Sequence, residues 1–91
     1  MAGRPPTTWE AYAREMGVII QRHRIEAGLT QEDLAHAAGM TRTHYQQIER
    51  GWWKRDQPSN PSIKVIVRLA QVLELTPAEL LPDVDRVEWR D

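Results

Sequence analysis

The chain has 91 residues, 41% of them hydrophobic and 27% charged, a balance suited to one compact domain with a small core. It contains no cysteine, which excludes a disulfide framework and a cysteine-based zinc site and fits a reducing cytoplasm. The net charge of −1 conceals a division: residues 14–68 hold nine Arg or Lys against six Asp or Glu, whereas residues 69–91 hold two against six.

Met1 to Thr8 carry Arg4 and two prolines without an apolar stretch, and read as a flexible arm rather than a signal peptide. No apolar run reaches the roughly 18 residues of a membrane span, so no membrane association is expected. From Trp9, apolar positions recur at helical steps through Tyr12, Met16, Ile19, Ile20, His23 and Ala27. This predicts a first helix from Trp9 to Ala27, with Thr8 as N-cap and Gly28 supplying the turn after it. Gly17 is expected to weaken that helix slightly, by roughly 1 kcal/mol against alanine.

Thr30 caps a short second helix, Gln31 to Ala38, whose first turn carries Glu32 and Asp33 where the helix dipole favours acid. Gly39 ends it, and Thr41 caps a third helix, Arg42 to Arg50, stopped by Gly51. Two short helices joined by a glycine-containing turn form a helix-turn-helix pattern. Trp52 to Pro61 reads as a loop. Ser62 caps a fourth helix with an apolar stripe of Ile63, Ile66, Val67, Ala70 and Leu73. Thr76-Pro77-Ala78-Glu79 is a capping box with proline at the first helical position, opening a fifth helix through Leu81 that Pro82 ends. No strand shows dependable alternation. The domain is thus expected over residues 9–82, with 1–8 as arm and 83–91 as tail.

The series Arg24-Ile25-Glu26-Ala27-Gly28-Leu29-Thr30-Gln31-Glu32-Asp33-Leu34-Ala35, then Ala38-Gly39-Met40-Thr41 and Ile48-Glu49-Arg50-Gly51, resembles the phage repressor and Cro-type (XRE-like) helix-turn-helix transcriptional regulators. Asn60-Pro61-Ser62-Ile63, Leu69-Ala70 and Thr76-Pro77-Ala78-Glu79-Leu80-Leu81 extend the resemblance over about residues 14–82. It implies an all-α, five-helix, lambda-repressor-like DNA-binding domain. The long segment after Gly51 departs from the family pattern.

In the third helix Tyr45 and Ile48 lie three apart and are expected to face the core. Arg42, Thr43, Gln46 and Gln47 are then left near the outer face, with side chains suited to guanine, adenine and thymine edges in a major groove. The resemblance assigns base reading to the positions of Arg42, Thr43 and Gln47, and Gln46 and His44 stand beside them. DNA-backbone contacts are expected from Gln31, His44, Lys54, Arg55, Ser62 and Lys64, helped by the positive N-terminal end of the fourth helix. The positive segment coincides with this surface. Arg24 and Glu49 match the family's buried structural salt bridge.

His23, His36 and His44 lie on three different helices without metal-ligand spacing, so no metal is expected. No nucleophile–base set or glycine-rich phosphate cradle stands out, which argues against an enzyme and against a cofactor. The expected partner is a double-stranded, near-palindromic operator bound by a homodimer. Leu80, Leu81, Val84, Val87 and Trp89 are its expected contacts, exceeding what a small core needs. Localisation is expected to be cytoplasmic, and at the nucleoid when DNA is bound. A protein-interaction module, such as an antitoxin or adaptor binding a protein partner through Trp52, Trp53 and the acidic tail, stays open beside this reading.

Overall fold

The computed structural model describes residues 6–89. Its elements in chain order are β1 (Thr7–Thr8), α1 (Trp9–Glu26), α2 (Gln31–Ala37), α3 (Arg42–Arg50), β2 (Trp52–Lys54), β3 (Gln57–Pro58), α4 (Ile63–Val72), a 3-10 turn (Pro77–Leu80) and β4 (Val87–Glu88). The fold is mostly helical, a helix-turn-helix domain with four α-helices and small strands. Each α-helix starts at a hydroxyl residue that accepts a backbone N–H from its first turn. Thr8 takes that of Ala11, Thr30 that of Asp33, Thr41 that of His44 and Ser62 that of Val65. These bonds satisfy donors that a helix end otherwise leaves unpaired.

The core gathers Met16 and Ile20 of α1, Leu34 and Ala35 of α2, Tyr45 and Ile48 of α3, Ile66, Leu69 and Ala70 of α4, and Leu80. Leu29, Met40, Val65, Val72, Leu73 and Leu75 pack around it. Gly39, at φ 75°, turns the chain between α2 and α3 in a conformation open to glycine at little cost. The segment expected as a fifth helix is a single 3-10 turn. Leu81 is already extended (ψ 142°), as expected for a residue whose helical conformation would collide with the following Pro82.

Three further expectations are corrected. Trp52 to Pro61 is not simply a loop: β2 and β3 form an antiparallel hairpin around a two-residue tip, Arg55 and Asp56, with Asp56 at φ 59°. Thr7 and Thr8 are not part of a free arm, since they pair in parallel with Val87 and Glu88, and the Thr7 N–H bonds the Arg86 carbonyl at 3.1 Å. The rest of the expected arm, residues 1–5, lies outside the described residues. Ile63 leaves the apolar stripe of α4, being 83% exposed at the first turn, and Leu69 takes a buried place instead.

Gly17 has a positive role that helix propensity hides. A Cβ built there would lie 2.4 Å from the Glu49 carbonyl oxygen and 2.6 Å from that of Ile48. Only glycine lets the backbones of α1 and α3 approach so closely. Gly17→Ala is therefore expected to cost about 3 kcal/mol, as overpacking does, despite a gain of roughly 1 kcal/mol in helix propensity. Urea unfolding of the two proteins measures the sign directly.

Candidate nucleic-acid interface

The orientation of α3 is set by a buried carboxylate. Glu49 Oε2 accepts from Arg24 Nε at 2.6 Å and from the Tyr45 hydroxyl. Glu49 Oε1 accepts from Gln31 Nε2 at 2.9 Å, Gln21 Nε2 at 3.2 Å and Arg24 Nη2 at 3.4 Å. Arg24 also donates through Nη1 to the Leu29 carbonyl at 2.8 Å, tying the turn between α1 and α2 into the same cluster. Three helices therefore meet at one side chain. Burial alone works to raise the Glu49 carboxyl, but hydrogen bonds from Arg24, Tyr45 and Gln31 outweigh it and hold it below its ordinary range. Burial, then the Glu49 carboxylate, push the Tyr45 hydroxyl far above its ordinary value, so it stays a donor.

With Tyr45, Ile48 and Glu49 inside, the opposite side of α3 faces outward. Arg42, Thr43 and His44 are exposed, while Gln46 and Gln47 are half-buried. Gln46 Nε2 donates to Gln31 Oε1 at 3.1 Å. The Gln31 side chain is thus engaged at both ends, by Glu49 and by Gln46, a use that the sequence did not disclose. Arg42 and Gln31 share a cleft with Arg24, Thr30 and Glu32.

Beyond the C-terminal half of α3, a small notch of about 150 Å³ joins His44, Gln47, Trp53 and Asn60. Ser62, which follows shortly after Asn60, spends its hydroxyl on capping α4, and Lys64 is exposed in that helix's first turn. Arg55 lies elsewhere: with Glu10, Arg14 and Trp52 it lines a groove on the α1 side of the hairpin. Lys54 borders that groove too, while its Nζ sits 4.6 Å over the Trp53 ring.

Sequence reasoning missed two residues here. Gln21 lies one turn before Arg24 on the same helical face, a spacing that carried the signal. Arg50, exposed in the last turn of α3, stacks its guanidinium 4.3 Å over Trp52. Three of the expected dimer contacts, Leu81, Val87 and Trp89, line one groove, and Leu80 and Val84 do not. Leu80 is fully buried in the protomer's own core and is withdrawn, Val84 is half-buried, and Val87 is held in β4. Leu81 and Trp89 stay exposed, and Trp89 stacks on Trp9 with centroids 5.8 Å apart. Among the described residues no His, Asp and Glu group is placed to hold a metal ion, and no helix is long and apolar enough to cross a membrane.

Residues 20–80 match the helix-turn-helix family HTH_3. The transcriptional regulator SinR of Bacillus licheniformis is 30% identical over 74 residues, 81% of this chain and 62% of that protein. The chain therefore spans about three fifths of that relative's length. Among solved structures, the restriction-modification controller protein C.AhdI of Aeromonas hydrophila superposes with a TM-score of 0.69 at 32% identity, covering 78% of this chain and 98% of that one. The biofilm master regulator SinR in complex with DNA gives 0.61 at 29% identity, covering 71% and 95%.

The carboxylate cluster predicts a definite acid response. Glu49 keeps its charge in the fold at a pH where an unfolded glutamate, near 4.5, takes up a proton. Its contribution is fully present above that value and is lost as pH falls through the lower, folded one. Glu49→Gln is expected to cost about 3 kcal/mol at neutral pH by stranding Arg24. Denaturant titrations against pH should show the two stability curves converging as pH drops below about 4.5.

Proposed function

The chain belongs to the helix-turn-helix family HTH_3, and on that premise we propose that it is a transcriptional regulator that reads double-stranded DNA with α3 in the major groove. One observation carries the reading: α3 is locked from beneath by Tyr45, Ile48 and Glu49 while Arg42, Thr43, Gln46 and Gln47 line its outer side. Arg42 suits a guanine edge, Gln46 and Gln47 suit adenine, and Thr43 offers a hydroxyl and a methyl. The Gln31–Gln46 hydrogen bond supports the assignment, because it fixes a flexible amide before any base arrives.

Backbone contacts come from Gln31 at the N-terminus of α2, from His44 and Lys54, and from the first turn of α4 with Ser62 and Lys64. Arg55 reaches the backbone only by way of the α1 side of the hairpin. The solved SinR–DNA complex and the controller protein C.AhdI, both similar to this chain, support a DNA-binding regulator.

Two copies are proposed to bind half-sites about one helical turn apart. An apolar groove of about 560 Å³, bordered by Trp9, Ile63, Leu81, Val87 and Trp89, supports a second copy as its occupant, with Ile63 in place of Leu80 and Val84 in the contact set. Bound at a promoter, such a dimer excludes or recruits polymerase, and nothing in this mechanism calls for a catalytic group.

Selection of bound duplexes from random DNA should yield a two-fold related site preferred by about 10³-fold or more over random sequence, with affinity falling steeply as salt rises. Arg42→Ala should relax the preference at one base-pair position per half-site. Gln31→Ala should weaken binding to every sequence and also loosen the position read by Gln46. Weak binding that ignores sequence would overturn the reading. In sedimentation equilibrium, the wild-type chain should be dimeric at micromolar concentration and Ile63→Glu should shift it towards monomer. A wild-type monomer both with and without DNA would refute the dimer.

A further inference from the structure

The hairpin after α3 is tied at its base to the helices beside it. Gly51 ends α3 at φ 88°, and a Cβ there would lie 2.6 Å from the Arg14 Cα, so the base of the hairpin is wedged against α1. The Ser59 N–H closes the segment by bonding the Gly51 carbonyl at 2.8 Å, and Ser59 is buried. Both ends of the hairpin are thereby anchored beside α3 and α1.

Within the hairpin, Trp52 pairs with Pro58 and Lys54 with Gln57, which leaves Trp53 as an extra residue in a bulge. Successive side chains of a strand point to opposite faces, and the two adjacent indoles line different pockets. Trp52 borders the groove on the α1 side with Arg14 and carries the Arg50 guanidinium over its ring. Trp53 turns to the α3 side, into the notch with His44 and Gln47. Despite that neighbourhood Trp53 is 47% exposed, and the Lys54 ammonium lies 4.6 Å over its ring.

We infer that Trp53, beside the Lys54 already assigned to the backbone, makes the bulged edge of this hairpin a further DNA-contact element that grips the sugar–phosphate wall beside the bases read by α3. The inference rests on the DNA-reading function proposed above. Continuity is the first argument, since Trp53 adjoins His44 and Gln47 on the outer side of α3. Chemistry is the second. An indole offers a flat apolar surface to deoxyribose, and a stacked ammonium is already poised to meet the next phosphate. Anchoring is the third, because a tethered segment carrying an aromatic, itself with few rotatable bonds, has less conformational freedom to lose on binding.

The test uses the full chain and a duplex selected for tight binding, with affinity measured by fluorescence anisotropy across a salt series. Trp53→Ala is expected to bind about tenfold more weakly, through lost apolar burial. Lys54→Gln is expected to reduce the salt slope by about one counterion. Trp52→Ala, on the opposite side, is the control and should match wild type. Far-ultraviolet circular dichroism and thermal melting confirm that each half-exposed residue has been replaced without loss of fold.

If Trp53→Ala and Lys54→Gln both match wild type on a site that wild type still selects, the hairpin inference is overturned while the reading by α3 stands. If wild type itself shows no selected site, the DNA-reading function fails and this inference with it. Should Trp53→Ala abolish capture of a protein partner while leaving DNA affinity intact, the surface belongs to that partner and the inference is likewise refuted.

Discussion

A single carboxylate decides where α3 can lie. Glu49 is the last but one residue of that helix, yet its bonds reach Gln21 and Arg24 on α1, Gln31 on α2 and Tyr45 on its own helix. An isolated buried charge would be untenable at this depth. Surrounded by five donors it becomes a geometric anchor, because each bond fixes α3 in roll as well as in distance. Tyr45 and Ile48 supply apolar burial beneath the helix, but apolar contacts are non-directional and would tolerate rotation. The polar cluster does not.

The second constraint is steric, and it acts where the helices are closest. Gly17 brings the α1 backbone against the carbonyls of Ile48 and Glu49, and Gly51 lets the chain leave α3 against Arg14. The same two helices are thus clamped by an absent side chain at each of two points, both N-terminal to Gln21 and Arg24 along α1. The hairpin inherits its position from this clamp. At the far corner, pairing of β1 with β4 and stacking of Trp9 on Trp89 bring the two ends of the described chain together.

Much of this was legible from sequence because it is local. Hydroxyl residues marked the four helix starts among the described residues, and Gly39 and Gly51 marked the stops, since caps and positive φ act within a few residues. The Arg24–Glu49 pair was legible only through family resemblance, and its extension to Gln21 was not read. What escaped depends on distant partners. Gly17 looks like a mild helix breaker until the carbonyls of α3 are placed beside it. Thr7 and Val87 form a ladder too short to show alternation, and 80 positions apart in the chain. Ile63 and Leu80 are both apolar residues of expected helices, and only the packed core separates the exposed one from the buried one. The Trp52–Pro58 hairpin carries an irregular register and a tip without the usual Asn-Gly or Asp-Gly pair, so its turn chemistry was silent.

The bond between Gln31 and Gln46 bears on how such a protein acquires a new target. On the proposed reading, Gln46 faces DNA, while its partner is already committed to Glu49 on the inner side. A change at position 46 that improves the fit to another base pair leaves the Gln31 carbonyl oxygen without its donor, and that oxygen is half-buried. A single step in specificity thus carries a stability penalty one helix away. Drift towards new operators is therefore expected to proceed by coupled replacements at 31 and 46, whereas the solvent-facing positions 42 and 43 are free to vary one at a time.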